Sequence, residues 1–242
     1  ERTIGRSAGA RVARGWLPLL VHVLGLLTLL AWLTTSVFVV WRSLRTAPLE
    51  TLLLFCLSAL ALGLRLFSSE RLPIGSANGD LTHLDAVAVW MAQGLDIHHG
   101  AAYPPAYRLL LWLLAQVAGP SLNGAFMLTS LLGALCVVPA YIIARDATGS
   151  RGAGVIAALA LAAYPPSILF SNGVNLVIPA AFWLCSAFAC LTRYLERPRP
   201  WLLGAVLVNL LLFGQARLEA LGVGIAVLLG MALLIVEAGR AR

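Results

Sequence analysis

The chain has 242 residues, of which 60% are hydrophobic and only 11% are charged. Soluble domains carry about 25% charged residues, so this composition excludes an ordinary soluble globular protein. The net charge of +7 comes from arginine alone, because the sequence contains no lysine. These arginines lie in short segments between apolar runs rather than on one face of a domain, which argues against nucleic acid as a partner.

Several apolar runs reach the roughly 20 residues that an α-helix needs to cross a bilayer. The sequence therefore predicts an all-α, polytopic helical membrane protein, with about seven transmembrane helices and short interfacial helices outside the membrane. Pro165 and Pro166 interrupt the fourth predicted span. In chain order the predicted spans are 16–41, 49–67, 122–144, 152–170, 176–191, 201–213 and 221–236.

The apolar runs and the polar segments divide the chain into three predicted parts. Residues 1–48 form a basic tail and an extra N-terminal apolar helix, residues 49–237 form the main transmembrane module, and residues 238–242 form a cytoplasmic end. A long loop, 68–121, interrupts the module.

The arginines predict how the spans are oriented. By the positive-inside bias the side that collects them is cytoplasmic, so the loop 68–121 is predicted to be extracytoplasmic in a multi-pass protein of the plasma (inner) membrane. The basic tail disagrees with this bias, and a missing upstream segment or a partner that holds the tail would explain the disagreement. If 106–117 does not cross the membrane, nine of the seventeen arginines lie on the same side. They belong to the segments 42–45, 145–151, 193–199 and 240–242.

The stretch from Gly79 to Arg108 is the longest polar interruption of the apolar sequence. Polar clusters at the edge of a membrane are energetically expensive, so this one is a candidate functional site; a solvated loop that collects polar residues is the alternative. It contains three of the ten acidic residues and three of the four histidines, namely Asp80, Asp85, Asp96, His83, His98 and His99.

Two short helices are predicted in this part of the chain. Asp80 opens an amphipathic helix of about 14 residues that ends at Gly94, and its carboxylate could equally serve as the N-cap of that helix. Pro104 and Pro105 are typical of a helix start and precede the apolar segment 106–117, which is too short to cross and is predicted to be interfacial.

The order of these elements resembles the GT-C superfamily of polytopic glycosyltransferases, which use lipid-phosphate-linked sugars and include protein mannosyltransferases and the lipid A aminoarabinose transferase. The resemblance covers about residues 49–237, the N-terminal module of such enzymes. It rests on the ordered series Leu64-Arg65, Gly79-Asp80 with its helix to Gly94, Tyr103-Pro104-Pro105, the basic turn from Arg145 to Arg151, and the segment FGQARLEAL at 213–221.

The resemblance implies a membrane glycosyltransferase of the cell envelope that moves a sugar from a polyprenyl-phosphate donor to an acceptor on the extracytoplasmic side. Asp80 is then the general base or a metal-positioning acid, and a divalent metal (Mg²⁺ or Mn²⁺) or an arginine neutralises the departing phosphate. His83 lies one helical turn from Asp80 and could join it at a metal, and Asp85 and His98 are further candidate ligands by residue type.

Arg217 is the candidate for binding the phosphate, because its predicted place at the outer membrane edge is where a lipid phosphate would arrive. Arg217 and Glu219 could instead neutralise each other. Arg108 is a further candidate for substrate binding, and Tyr103 could pack on the sugar or anchor at the interface. We expect Asp80 and Arg217 to line one outward-facing cavity that opens to lipid near Tyr103.

Two departures from the GT-C pattern keep another interpretation open. Leu81 stands where many members of the superfamily have a second acid, and Asn175 stands where many have an acid in the second outer loop. The alternative is therefore a catalytically inactive GT-C-like scaffold or accessory subunit, with protein partners in a larger membrane complex. A transporter or flippase-like module is a third interpretation, although the sequence shows no paired intramembrane charges that would mark a pathway.

Overall fold

The structure, a computed structural model, describes residues 23–37, 39, 41, 45–69, 105–173, 176–216 and five isolated positions after 221. Every regular element in this part of the chain is an α-helix, which confirms the predicted all-α class there. An apolar environment favours helices, because a helix pairs its backbone N–H and C=O groups within one segment and needs no water to satisfy them.

Helices account for most of the described residues, and those from residue 105 onward follow one another after short intervals. We number them α1 to α9: Val23–Val37, Pro48–Ser69, Pro105–Ala118, Leu122–Leu135, Val137–Thr148, Arg151–Ala162, Pro165–Ser171, Val177–Glu196 and Pro200–Gly214.

Capping residues set the turn between α5 and α6. Gly149 follows α5 with a left-handed φ of 69°, a conformation that favours glycine and ends a helix. Ser150 then caps α6, because its side-chain oxygen accepts a hydrogen bond from the backbone N–H of Ala153. The two helices therefore form a tight hairpin.

Three described segments are long and apolar enough to cross a membrane: Pro48–Ser68, Asn123–Thr148 and Val177–Glu196. The second combines α4 and α5. The pair α6 and α7 adds a fourth if it is one span, bent by 55° where the chain reaches Pro165 and Pro166. The predicted interruption by proline is thus confirmed.

The described part of the chain contains fewer spans than the predicted number of about seven. The predicted span 201–213 corresponds to α9, which is apolar but, at 15 residues, too short for the same criterion. The predicted first span is described only at 23–37 and two nearby positions, and most of 221–236 lies outside the described residues. The full number of spans remains a prediction.

The predicted short helix at 106–117 is present as α3, and its first half is buried. Ala106, Tyr107, Leu109 and Leu111 have no exposed surface. Ala106 and Leu109 belong to the largest apolar cluster of the bundle, together with Trp183 of α8. This end of α3 therefore packs into the bundle.

α8 lies at the centre of the described helices, where it packs along α9 and also contacts α4, α5 and α7. Trp183 is completely buried in the main apolar cluster. The ring of Trp32 on α1 packs edge-on against Phe182 and Trp183, with ring centroids 6.0 and 6.4 Å apart. Edge-to-face contacts of this kind add to the apolar burial that holds α1 on α8.

The beginning of α2 and the ends of α5 and α8 meet at one end of the bundle. Arg145 pairs with Glu50 and with Asp146, and Nε of Arg193 lies 3.4 Å from Oδ2 of Asp146. Two of the predicted arginine-rich segments therefore share one end, as their pattern predicts, and the side of the membrane that they face remains a prediction.

Gly154 allows α6 to approach α5 closely. A Cβ added at Gly154 would lie 2.8 Å from two ring carbons of Tyr141 and 3.0 Å from its carbonyl oxygen. Tyr141 is itself fully buried against α2 and α6, so its ring has no free space to move into.

We therefore expect Gly154→Ala to destabilise the protein by about 1–3 kcal/mol, the usual range for overpacking a core. Gly204→Ala is the matched control, because a Cβ there meets nothing within 4 Å and alanine favours a helix. Thermal unfolding in detergent, followed by circular dichroism, compares the two. Equal stability of both variants would contradict the close approach of α5 and α6.

Candidate functional site

Arg65 is a completely buried cation near the end of α2. Its guanidinium group donates three hydrogen bonds: Nη1 to the carbonyl oxygen of Ala61 at 2.9 Å, Nη2 to Oγ of Ser167 at 2.8 Å, and Nε to Oγ of Ser171 at 3.1 Å. The planar fork of arginine makes these three contacts possible at once.

Serines from two other helices complete the surroundings of Arg65. Oγ of Ser171 donates to the carbonyl oxygen of Ser167 at 2.6 Å, and Oγ of Ser130 donates to the carbonyl oxygen of Ser171 at 3.0 Å. We call Arg65, Ser130, Ser167 and Ser171 the arginine–serine cluster. It joins α2, α4 and α7 inside an otherwise apolar bundle.

The bend between α6 and α7 brings the serines to Arg65. Ser167 and Ser171 are four residues apart on α7 and therefore lie on one face of that helix. Pro165 and Pro166 at its start cannot continue α6, so α7 leaves the direction of α6 and presents this face to α2.

Gly133 on α4 leaves the space that the cluster occupies. A Cβ added at Gly133 would lie 2.1 Å from Oγ of Ser171 and 3.0 Å from Nε of Arg65. Any larger residue at this position would displace the serine hydroxyl, so the packing of α4 against α2 and α7 depends on a glycine here.

The three acceptors of Arg65 are all neutral. The carboxylates in the described part of the chain are Glu50, Asp146 and Glu196. Glu50 and Asp146 pair with arginines at the end of the bundle where α2 begins, and Glu196 lines a cleft there. None of the three pairs with Arg65. A buried charge compensated only by dipoles keeps a strong attraction for an anion, because the surroundings screen it poorly.

Tyr107 connects α3 to the helix that carries part of the cluster. Its hydroxyl lies 2.6 Å from Oγ1 of Thr129, which itself donates to the carbonyl oxygen of Ala125, so the tyrosine is the donor. Thr129 directly precedes Ser130 of the arginine–serine cluster. The first turn of α3 is thus fixed on the same part of α4.

Arg108 follows Tyr107 and is the one predicted site residue that lies within the described part of the chain. It is only 4% exposed, in the first turn of α3. A second arginine is therefore buried beside the helix that contributes Ser130.

The remaining predicted site residues lie outside the described residues, so the predicted cavity between Asp80 and Arg217 is not tested. The same holds for the proposed metal ligands, and the described part of the chain contains no group of three or more His, Cys, Asp or Glu side chains that could hold a metal ion. The predicted residues outside the description are Asp80, His83, Asp85, His98, Tyr103, Arg217 and Glu219.

Asn172 adds an amide at the edge of the cluster. It directly follows Ser171, and both its Oδ1 and its Nδ2 are buried without a hydrogen-bond partner among the described residues. Buried polar groups are nearly always hydrogen-bonded, so a buried amide of this kind can receive a polar group from a ligand.

From the sequence, Arg65 is a candidate only as part of the Leu64-Arg65 pair. The available signal was its place inside the otherwise apolar second span, since an ionisable residue within a span is a functional candidate by default. The serines could not be assigned to it from sequence, because they follow Arg65 by 102 and 106 positions.

Comparison of the chain with protein families, with curated proteins and with solved structures gives no match.

We expect Arg65→Lys to destabilise the protein by about 1.5–3 kcal/mol, the usual contribution of a hydrogen bond to a charged group. Lysine keeps the charge, but its ammonium group cannot reproduce the three contacts of the planar fork. Arg151→Lys is the matched control, because Arg151 is exposed at the start of α6. Unfolding in mixed micelles measures both, and an Arg65→Lys variant as stable as Arg151→Lys would contradict the described cluster.

Proposed function

We propose that the protein is a membrane glycosyltransferase that moves a sugar from a polyprenyl-phosphate donor to a hydroxyl acceptor on the extracytoplasmic side. The observation that carries this proposal is the buried charge of Arg65. It lies near the end of α2, among neutral acceptors, and the chain leaves α2 directly into the segment that contains Asp80.

The reaction breaks the bond between the anomeric carbon of the sugar and the phosphate oxygen, and forms a bond from that carbon to the acceptor oxygen. Asp80 takes the proton of the acceptor hydroxyl as general base. The polyprenyl phosphate leaves with the electron pair of the broken bond, so its negative charge grows during the step. Arginine is suited to this charge because its fork can hold two phosphate oxygens.

Arg217 is the proposed phosphate ligand, with Glu219 as the residue that orients it. Arg108 adds a second cation on the substrate side, and its burial in the first turn of α3 places it in the bundle next to α4. Tyr103, two residues before α3 begins, packs on the sugar in this proposal.

Arg65 acts in this proposal through its charge. In a poorly screened interior, a cation favours the ionised form of a neighbouring carboxylate and attracts phosphate. Either effect serves the transfer, since the base must be ionised and the leaving group must be anionic. The amide of Asn172 offers both a donor and an acceptor, which is the pairing that a sugar hydroxyl needs.

The exposed apolar side chains of the helices suit a substrate that arrives from lipid. Leu49, Phe55 and Ile156 are each at least 70% exposed, as expected for side chains that face a bilayer. A polyprenyl chain can lie against such a surface while its phosphate reaches the polar site. A divalent metal would share in neutralising the phosphate, with His83, Asp85 and His98 as its ligands, and no step above depends on it.

We expect Asp80→Asn to reduce the rate of sugar transfer by about 10²–10⁴-fold in a reconstituted assay, which is the usual contribution of a general base to the rate. The assay supplies a panel of polyprenyl-phosphate sugars to the full chain in vesicles. Glu70→Gln is the matched control, since it removes an acid of the same loop to which no role is assigned. Equal folding of the variants is checked by their thermal unfolding.

Full activity of Asp80→Asn would contradict the role of this carboxylate. A wild-type chain that turns over none of the donors, and instead purifies in a stable complex on blue-native gels, would favour the scaffold or accessory subunit.

A further inference from the structure

A cleft of about 400 Å³ opens at the end of the bundle where α2 begins and α8 ends. Four arginines line it, Arg145, Arg193, Arg197 and Arg199, together with Glu196 and the first residues of α9. The mechanism proposed above uses none of these residues.

Two of the four arginines are already neutralised. Arg145 pairs with Glu50 and with Asp146, and Arg193 approaches the second oxygen of Asp146 at 3.4 Å. Asp146 has only 3% of its side chain exposed, and the two arginines that approach it line one part of the cleft.

The other two arginines give the cleft its excess positive charge. Arg197 and Arg199 are exposed, and neither pairs with a carboxylate among the described residues. Glu196 is the one acid left to oppose them, so the balance of charge is positive. Pro198 stands between them and restricts the backbone at this point.

The start of α9 adds to this attraction for anions. Pro200 begins the helix, and the next two residues, Trp201 and Leu202, line the cleft. The N-terminal end of a helix carries a partial positive charge, which favours a bound anion.

The surroundings of the cleft are apolar on the side of α1. Val39 lines the cleft, and a separate apolar groove of about 590 Å³ lies along Leu33, Thr34, Val37 and Trp41. An anionic group in the cleft could therefore belong to a molecule whose apolar part lies against α1, and Trp201 is a residue typical of the membrane interface.

We propose that this cleft binds the phosphate group of an anionic membrane lipid. Basic pockets between membrane helices bind anionic headgroups, and each arginine near such a headgroup contributes about fivefold to its affinity. The site does not depend on the proposed glycosyl transfer and lies on the other end of α2 from the arginine–serine cluster.

The test compares thermal unfolding of the full chain in nanodiscs of phosphatidylcholine alone with unfolding in nanodiscs that also contain phosphatidylglycerol. We expect phosphatidylglycerol to raise the Tm of the wild type by about 2–4 °C. The double variant Arg197→Gln/Arg199→Gln should lose this rise, and Arg197→Gln alone should lose part of it. Arg151→Gln, an exposed arginine outside the cleft, should keep it.

Retention of the full rise in the double variant would overturn the proposal, because the lipid would then act elsewhere. If the double variant does not fold, the single variant decides, and a full rise there would also overturn it. Inorganic phosphate is added to phosphatidylcholine nanodiscs as the last arm. An equal rise with inorganic phosphate would assign the cleft to free phosphate and overturn the lipid as its ligand.

Discussion

The hydrogen bonds of Arg65 with Ser167 and Ser171 are the interaction on which one end of the described bundle, where α2 ends, depends. They place a charged group in an apolar interior and join α2 to α7, and Ser130 of α4 donates to Ser171 at the same point. α7 must bend away from α6 for its serines to reach Arg65, and α4 must carry Gly133 to make room for them. A charge in such a place is energetically expensive, which makes Arg65 a candidate functional residue.

The charged side chains have different partners at the two ends of α2. At its beginning, Glu50 and Asp146 are matched by Arg145 and Arg193, and the surplus positive charge lies in an exposed cleft where salt and water screen it. Near its other end, Arg65 is fully buried and its acceptors are neutral. Pairing at the first end stabilises the arrangement of α2, α5 and α8. The buried charge at the second end has no carboxylate partner among the described residues, and the function proposed above assigns its role to that charge.

The sequence predicted those features that depend on local pattern and missed those that depend on distant contacts. Hydropathy predicted the helical class and α2, proline predicted the break before α7, and the arginines predicted that the ends of α5 and α8 lie together. The burial of α3 was not predictable, because an apolar segment of 14 residues looks the same at an interface and inside a bundle. The environment of Arg65 was also out of reach, since Ser167, Ser171 and Gly133 join it only through the tertiary fold. Asp80 and Arg217 rest on the sequence alone.

The most direct test of the central claim is the dependence of lipid binding on phosphate. The affinity of the reconstituted chain for a polyprenyl phosphate is compared with that for the polyprenol of equal length, in the Arg197→Gln/Arg199→Gln background, which removes the basic cleft. Charge-assisted contacts at a poorly screened cation predict that the phosphate binds about 10- to 100-fold more tightly. Equal affinity for the phosphate and the alcohol would contradict the account, because the buried charge of Arg65 would then serve no anionic substrate.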